Sequence, residues 1–555
     1  MAHPVSPYLS TPLLVGQLVA NGYDNSSCLD LNVLFFNSIL NSKYLSQLIS
    51  EKNLTEEFQK YLNSNKQKIE QLIKEIDNAV FTYKSDDFYD PKKFFRAMKV
   101  LSFAFEVISK RYGFDLSFSD FKVKGFDYSF ESIIEFMDKF EIFTDFFTNE
   151  IKKIQNADLI GISICYPSQI LPALTLAKIA KSHSNAKVAI GGNLITRNQD
   201  MFIKNPGFFD IFTDFILTGE GEKSILTLVN SLAKNKPLDE VPGIIYKEKS
   251  KIVKNNIEKI KSLSDIAIPN YSGMDFKNYY TPETILPVQL SKGCYWGKCT
   301  FCDIRSDKEY FICKTPKQVV DELIELKKKY KIKHFEFTDE SMPPEFHSKL
   351  ADELIFRDAD ITFYCMVRLE KGFTKELLKK MYKAGARMLE WGFEAASPRI
   401  IDLMKKGIDD KERFNILRDS ANVGLWNHIF IMFGFPTETP KESLLTAKTV
   451  NENKDIIDSY ITMDFVLRKH ADIQKLVEKY GISETKNETN LLSDYDFSEE
   501  DNLKEKRRLF YSKLRKKYLY TNNLPFWQIT LPDEYLFLRV AKSSREYIKS
   551  IVING

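Results

Sequence analysis

Short apolar runs alternate with helical periods twice along this chain, and that alternation constrains the fold more than any other feature. In the first stretch, "DLIGISI" reads as a buried strand, "PSQILPALTLAKIAKSH" as a helix and "AKVAIGG" as a second strand. "FFDIFTDFILTGEGE" then holds a third strand, followed by the helix "KSILTLVNSLAKN". Strands separated by helices build a parallel, doubly wound sheet. Upstream, "TPLLVGQLVANGY" predicts an earlier helix and "SSCLDLN" an earlier strand of that sheet, with a long helical insertion over about 33–153. "MAHPVS" is too short and too polar for the sheet's first strand, so that strand is expected to be missing or supplied from elsewhere. Residues 262–283 read as a linker.

The second alternation begins at "ILPVQLSKGC" and continues through "HFEFTDE", "ITFYCMV", "MLEWGFEA", "HIFIMFGF" and "SYITMDFVL". Helical segments such as "TPKQVVDELIELKKKY" lie between, with Thr315 as N-cap and Pro316 at the first helical position. Six strand–helix units predict a partial parallel barrel, whose chemistry collects at the C-terminal ends of the strands. The boundaries are drawn at 1–265, 266–475 and 476–555, the last a polar, helical tail.

Composition narrows the function. The 79 basic and 76 acidic residues leave a net charge of +3, which gives no global pull toward nucleic acid or anionic membrane. No apolar run approaches bilayer length. The N-terminus has no basic stretch of the kind that opens a signal peptide. The expectation is a cytoplasmic protein with no nucleic-acid and no membrane partner.

Three of the seven cysteines, Cys294, Cys299 and Cys302, fall within "SKGCYWGKCTFCDI". A disulfide needs two thiols and a closed structural zinc site four ligands. Three clustered thiolates suit three irons of a four-iron cube whose fourth iron takes an outside ligand. A zinc site borrowing a distant ligand, or unrelated buried thiols, is the alternative from spacing alone. Trp296 and Phe301 are placed to shield such a centre.

"GCYWGKCTFC" resembles the cluster loop of the radical S-adenosylmethionine (radical SAM) enzymes, although the first gap has four residues where Cys-x3-Cys-x2-Cys is usual. The resemblance runs in order through residues 284–470. "FEFTDES" resembles the acidic motif that holds the methionyl amine, implying Asp339 and Glu340. "MLEWGFEAASPRIIDLMKKG" resembles the fourth-strand segment that ends in a Lys-Gly, implying Glu394 and Ser397 on the ribose side. "IFIMFGFPTET" resembles the adenine segment, with Gly434, Pro436 and Glu438. Arg368 is a candidate for the SAM carboxylate, because a guanidinium suits bidentate carboxylate binding, or else an ordinary surface arginine. The resemblance implies reductive cleavage of SAM to methionine and a 5′-deoxyadenosyl radical, fed by a one-electron donor of flavodoxin or ferredoxin type.

The strand ends at "ISICYPSQ", "AIGGNLITR" and "ILTGEGE" share the edge at which doubly wound sheets bind ligands. Gly191–Gly192 and Gly219–Gly221 either let backbone approach a bulky ligand or make simple tight turns. This order ahead of a radical SAM barrel resembles the cobalamin-binding (B12) domain of the class B radical SAM enzymes. It implies an α/β fold: a Rossmann/flavodoxin-like cobalamin domain, a (β/α)6 radical SAM barrel and a helical tail. It also implies a corrinoid site lined by Tyr166, Ser168, Gln169, Gly192, Asn193, Thr218, Gly219 and Glu220. No Asp-x-His-x-x-Gly motif occurs, so no histidine of that motif ligates cobalt from below.

The cofactors implied are a 4Fe-4S cluster, SAM and cobalamin, and the leading expectation is methylation of an unactivated carbon of a peptide or natural-product substrate. One SAM would supply the methyl group to the corrinoid and a second the radical. Rearrangement, cyclisation or oxidation with the same cofactors is the first alternative, and a non-catalytic metal-binding or regulatory protein of this fold the second. Cys28, Cys165 and Cys313 read as buried small hydrophobes, Cys365 as a core thiol or an active-site one. The basic run at 504–518 reads as a solvated helix face or a site for an acidic substrate.

Overall fold

The computed structural model describes residues 3–137, 141–304, 311–480, 482–485, 491, 494–499, 503–519 and 531–551. The chain divides into two compact units, one dominated by residues 1–261 and the other by 283–487.

In the first unit, helix α1 (Ser10–Val19) precedes the insertion, whose helices run from Leu31–Ile39 to Glu141–Lys153. Asp30, Asn41, Thr55 and Asp90 each accept backbone N–H bonds at a helix start, so the cap residues set where these helices begin. Phe35, Phe36, Phe105, Phe118 and Phe143 pack ring against ring inside the insertion.

Ile160, Ile162, Val188, Ile190 and Ile216 are buried, and their β-branched side chains suit a covered sheet. Strands β1 (Leu159–Ser163), β2 (Lys187–Gly191) and β3 (Phe215–Leu217) run parallel; helix α2 (Ile170–His183) connects β1 to β2, short helical segments over 193–211 connect β2 to β3, and helix α3 (Gly221–Ala233) follows β3. An antiparallel hairpin, β4 (Ile244–Glu248) and β5 (Lys251–Lys254), extends the sheet beyond β3.

Strand β1 is an edge strand of this sheet. The strand expected at "SSCLDLN" does not form. Cys28 N–H donates to Ser272 C=O at 2.8 Å, and Asp30 turns the chain into the next helix by accepting from Asn32 and Val33. The stretch read as a linker is packed instead. Tyr271, Tyr279 and Tyr280 are buried, and Tyr279 Oη donates to Asp30 Oδ2 at 2.7 Å.

In the second unit six strands run parallel: β6 (Ile285–Val288), β7 (His334–Phe337), β8 (Thr362–Val367), β9 (Ala386–Glu394), β10 (Trp426–Phe433) and β11 (Ser459–Asp464). They pair in chain order. Helices α4 (Pro316–Tyr330), α5 (Pro344–Phe356), α6 (Lys375–Lys383), α7 (Asp410–Val423) and α8 (Pro440–Glu452) make the crossovers. Thr315 caps α4 in a reciprocal capping box with Gln318.

The tail is not wholly helical. Residues Ile482–Thr485 pair antiparallel with Asp494–Glu499 before helices α9 (Leu503–Leu514) and α10 (Asp533–Lys542). The side chains of 504–508, in the basic run, lie outside the described residues. No described helix is long and apolar enough to cross a membrane.

Candidate active site

The cysteine loop leaves the C-terminal end of β6. Its base is held by Asp339, which follows β7. Asp339 Oδ1 accepts from Ser291 N–H at 2.5 Å, Ser291 Oγ at 2.6 Å and Leu290 N–H at 3.0 Å. Ser291–Lys292 then pair antiparallel with Ile312–Cys313, closing the loop's two ends on each other. That edge position leaves Cys313 exposed, contrary to the core reading, whereas Cys28 and Cys365 are buried.

The loop's far side docks on the segment that follows β9. Trp296 Nε1 donates to Lys405 C=O at 3.0 Å, and Thr300 donates through N–H to Met404 C=O and through Oγ1 to Leu403 C=O, both at 3.0 Å. Phe301 packs against the apolar cluster of Ala395, Met404, Met432 and Phe435. Backbone hydrogen bonds on two sides thus present Cys294, Cys299 and Cys302, each half-buried, from one short loop.

The thiols feel one another. Burial pushes the Cys299 thiol up, Lys406 and Arg368 draw it down, and Glu394 and Cys294 push it up again. Burial pushes the Cys302 thiol up to about 12, aided by the charges of Glu340 and Cys299 and opposed by the backbone N–H of Ile304. Metal binding at such thiols releases protons. Among the described residues no three Cys, His, Asp or Glu side chains converge on a single metal ion. A cubane asks for a different arrangement, one thiolate for each of three irons, and a three-cysteine loop with cations beside it fits that demand.

Arg368, at the end of β8, is buried, with its guanidinium 3.9 Å from the Trp296 ring centroid and its Nη2 donating to Lys406 C=O at 2.6 Å. Glu394, at the end of β9, is buried and ion-paired to Lys406 Nζ at 2.5 Å. Ser397 Oγ accepts from Ile400 N–H and donates to Glu442 Oε1 at 2.7 Å. Gly434 N–H donates to Glu438 Oε2 at 2.7 Å. Glu340 is exposed beside Cys302. The structure therefore brings Arg368, Glu340, Glu394 and Phe301 around the cysteines. It gives Asp339 and Ser397 intramolecular hydrogen-bond partners. Lys406 and the docking role of Trp296 were missed: "LMKKG" marks the segment, but its spacing does not say which lysine turns inward.

The second group of candidates stands at the C-terminal ends of β1–β3. Tyr166, Asn193 and Gly219 are exposed there. Gln169 Oε1 accepts from Cys165 and Tyr166 N–H, Thr218 Oγ1 donates to Gly243 C=O, and Glu220 Oε2 accepts from Ile260 N–H. Ser168 is buried. The glycines serve the chain's own packing. A Cβ on Gly192 would stand 2.4 Å from Ile164 C=O, and one on Gly219 2.5 Å from Ile257 Cγ2.

Residues 288–450 match the radical SAM superfamily. The chain is 29% identical over 308 residues to an uncharacterized methyltransferase, PH0819, of Pyrococcus horikoshii, covering 54% of this chain and 64% of that one. It is 25% identical over 333 residues to the anaerobic magnesium-protoporphyrin IX monomethyl ester cyclase of Rubrivivax gelatinosus, covering 56% and 59%. This chain thus spans less than two thirds of either relative. The solved cobalamin-dependent SAM radical enzyme OxsB, with aqua-cobalamin and SAM bound, superimposes with a TM-score of 0.54 at 18% identity, over 66% of this chain and 59% of that one. Residues 288–450 are thus a radical SAM domain, in a chain that has the fold of the cobalamin-dependent radical SAM enzymes.

Proposed function

We propose that this chain is a radical SAM enzyme that holds a 4Fe-4S cluster on Cys294, Cys299 and Cys302, binds SAM beside it and, with cobalamin, methylates an unactivated carbon of a peptide or natural-product substrate. One observation carries the reading: three half-buried thiols on one short loop, which is docked through Trp296 and Thr300 on the segment leading to the buried Glu394–Lys406 pair, with Arg368 over the Trp296 ring. When bound, the cofactors supply an electron for carbon–sulfur cleavage and a carrier for the methyl group.

The chain's own residues supply binding and order. Arg368 is charged, buried and fixed by its stack on Trp296, which suits a carboxylate ligand. Glu394 offers acceptor oxygens at the end of a strand, where barrel chemistry collects. Phe301 and the apolar cluster behind it keep water from one side of the loop. Tyr166, Asn193 and Gly219 would meet the corrinoid, and the reductant is a one-electron donor of flavodoxin or ferredoxin type.

Anaerobic reconstitution tests the reading. The expected product is a brown protein that releases 5′-deoxyadenosine from SAM, and each of C294A, C299A and C302A should abolish both colour and release. SAM with a deuterated methyl group should leave label in the product. Cyclisation or oxidation is the second reading, favoured by the likeness to the anaerobic cyclase. A product altered in mass but carrying no label would select it.

A further inference from the structure

Lys406 is built into the domain in an unusual way. It is only 9% exposed, yet carries a charge. A Cβ on Gly392 would stand 2.4 Å from its Nζ, so the ammonium lies directly over the bare Gly392 backbone. Its partner Glu394 has a left-handed backbone, φ 62°, and the β9–β10 register shifts between Gly392 and Glu394. A non-glycine residue held in that region stores strain, and such residues cluster at functional sites.

The Lys406 backbone is clamped as well. Its carbonyl accepts from Arg368, and Gly407, with φ 66°, lies where a Cβ would meet the Trp296 ring at 2.6 Å. From this anchor the side chain reaches Glu394 and passes 6.0 Å from the Phe301 ring centroid. Thr300, the neighbour of Cys299, is bonded to Met404 C=O and Trp296 to Lys405 C=O, so the cysteine loop is docked on the two residues that precede Lys406. A buried ion pair is a poor way to gain stability, since apolar replacements of similar volume often do as well or better. Stability alone therefore gives no reason for a bare glycine, a strained glutamate and a clamped lysine together.

We propose that Lys406 is a positioning residue that holds Glu394 in its left-handed geometry and sets a fixed positive charge beside Cys299, easing one-electron reduction of a cluster on the three cysteines. The inference rests on the radical SAM reading. The step moves one electron from the reductant to the cluster and makes or breaks no bond. The added negative charge is stabilised by a cation close by, and burial keeps that attraction from being screened.

The test is a redox titration of the full chain, reconstituted anaerobically without SAM, with dithionite as reductant and the reduced cluster read by electron paramagnetic resonance. K406M should make reduction about tenfold less favourable, a downward shift of about 59 mV for one electron. K406R should stay near the parent value. E394Q, which leaves the lysine charge uncompensated, should shift the midpoint upward, and it carries the test if K406M fails to load iron. An intact cluster with the same midpoint in K406M, or in E394Q where K406M does not load, overturns the proposal and leaves the cluster assignment standing. A parent chain that takes up no iron overturns both.

Discussion

Asp339 Oδ1 receives both the backbone N–H and the side-chain hydroxyl of Ser291, at 2.5 and 2.6 Å, so the end of one barrel strand anchors the base of the cysteine loop on its neighbour. Burial raises the Asp339 carboxyl from 3.8 to about 6, which leaves it ionised and accepting at neutral pH. D339A would strand the Leu290 and Ser291 donors in the interior. Hydrogen bonds to a buried carboxylate and the donors they satisfy set a loss of about 3 kcal/mol. We expect a lower Tm for the apo chain and reduced iron retention after desalting. D339N, which keeps an acceptor oxygen, should recover part of both.

Trp296 carries the other side of the loop through its N–H and its face. W296F keeps a ring beneath Arg368 and loses the bond to Lys405 C=O, a loss of about 1 kcal/mol. W296A removes the platform as well. If Arg368 meets the SAM carboxylate, W296A should weaken SAM binding by about tenfold, while W296F changes it little. Calorimetric titration of SAM into reconstituted protein measures both, and equal weakening by the two variants would assign the effect to the lost hydrogen bond.

The strand–helix alternation made the parallel strands of both sheets legible, though not the antiparallel hairpin β4–β5, because β-branched strands between amphipathic helices have few other ways to bury their apolar faces. The cysteine loop was legible for the same reason that it works: its residues are close in sequence. What sequence could not give was the partner of each polar group. Asp339 reads as a ligand contact, and sequence does not show that it also anchors backbone, since the N–H groups of Leu290 and Ser291 that it holds lie some fifty positions earlier. "SSCLDLN" has strand composition, yet Asp30 caps a helix and Cys28 bonds to Ser272, a pairing that no local pattern encodes. The glycine pairs read either as room for a ligand or as tight turns, and no local pattern encodes that a Cβ at Gly192 or Gly219 would meet Ile164 or Ile257.

Those two glycines separate by what they touch. Gly192 has φ 111° and abuts the Ile164 backbone, which cannot yield without moving β1. G192A should therefore cost about 3 kcal/mol, from strain and overpacking together. Gly219 has φ 81°, but its obstacle is the half-exposed Ile257 side chain. G219A should cost about 1 kcal/mol, mostly backbone strain. Denaturant unfolding would show the difference in midpoint, and equal losses would mean that backbone conformation alone governs both sites.

Helix α10 lies against an acidic face of the barrel sheet, and its seat should depend on pH. Glu336, Tyr364, Glu390 and His428 share one face of β7–β10, as their register requires. Asp533 and Glu534 approach them from α10, with Asp533 hydrogen-bonded to Glu390 and 3.5 Å from His428 Nε2. His334, on the same sheet, meets Phe537 of α10 edge to face and contacts Glu283 at 3.0 Å. Burial raises Asp533 to about 7 and Glu336 to about 8, and raises Glu390 as well, while it lowers His428 to about 3 and so keeps that imidazole neutral. Carboxyl groups with raised folded-state values bind more protons folded than unfolded. Their contribution to stability is full near pH 4 and falls as pH rises through about 8, while the neutral His428, lowered from 6.5, works the other way below that pH, so the net fall is steepest above pH 6.5. The Tm of the second unit should drop between pH 6.5 and pH 8, and amide exchange over Asp533–Lys542 should quicken in parallel. D533N removes one titrating group without removing its hydrogen-bonding capacity, so it should flatten the slope and exceed the parent in stability at pH 8. An unchanged slope in D533N would place the pH dependence outside this cluster.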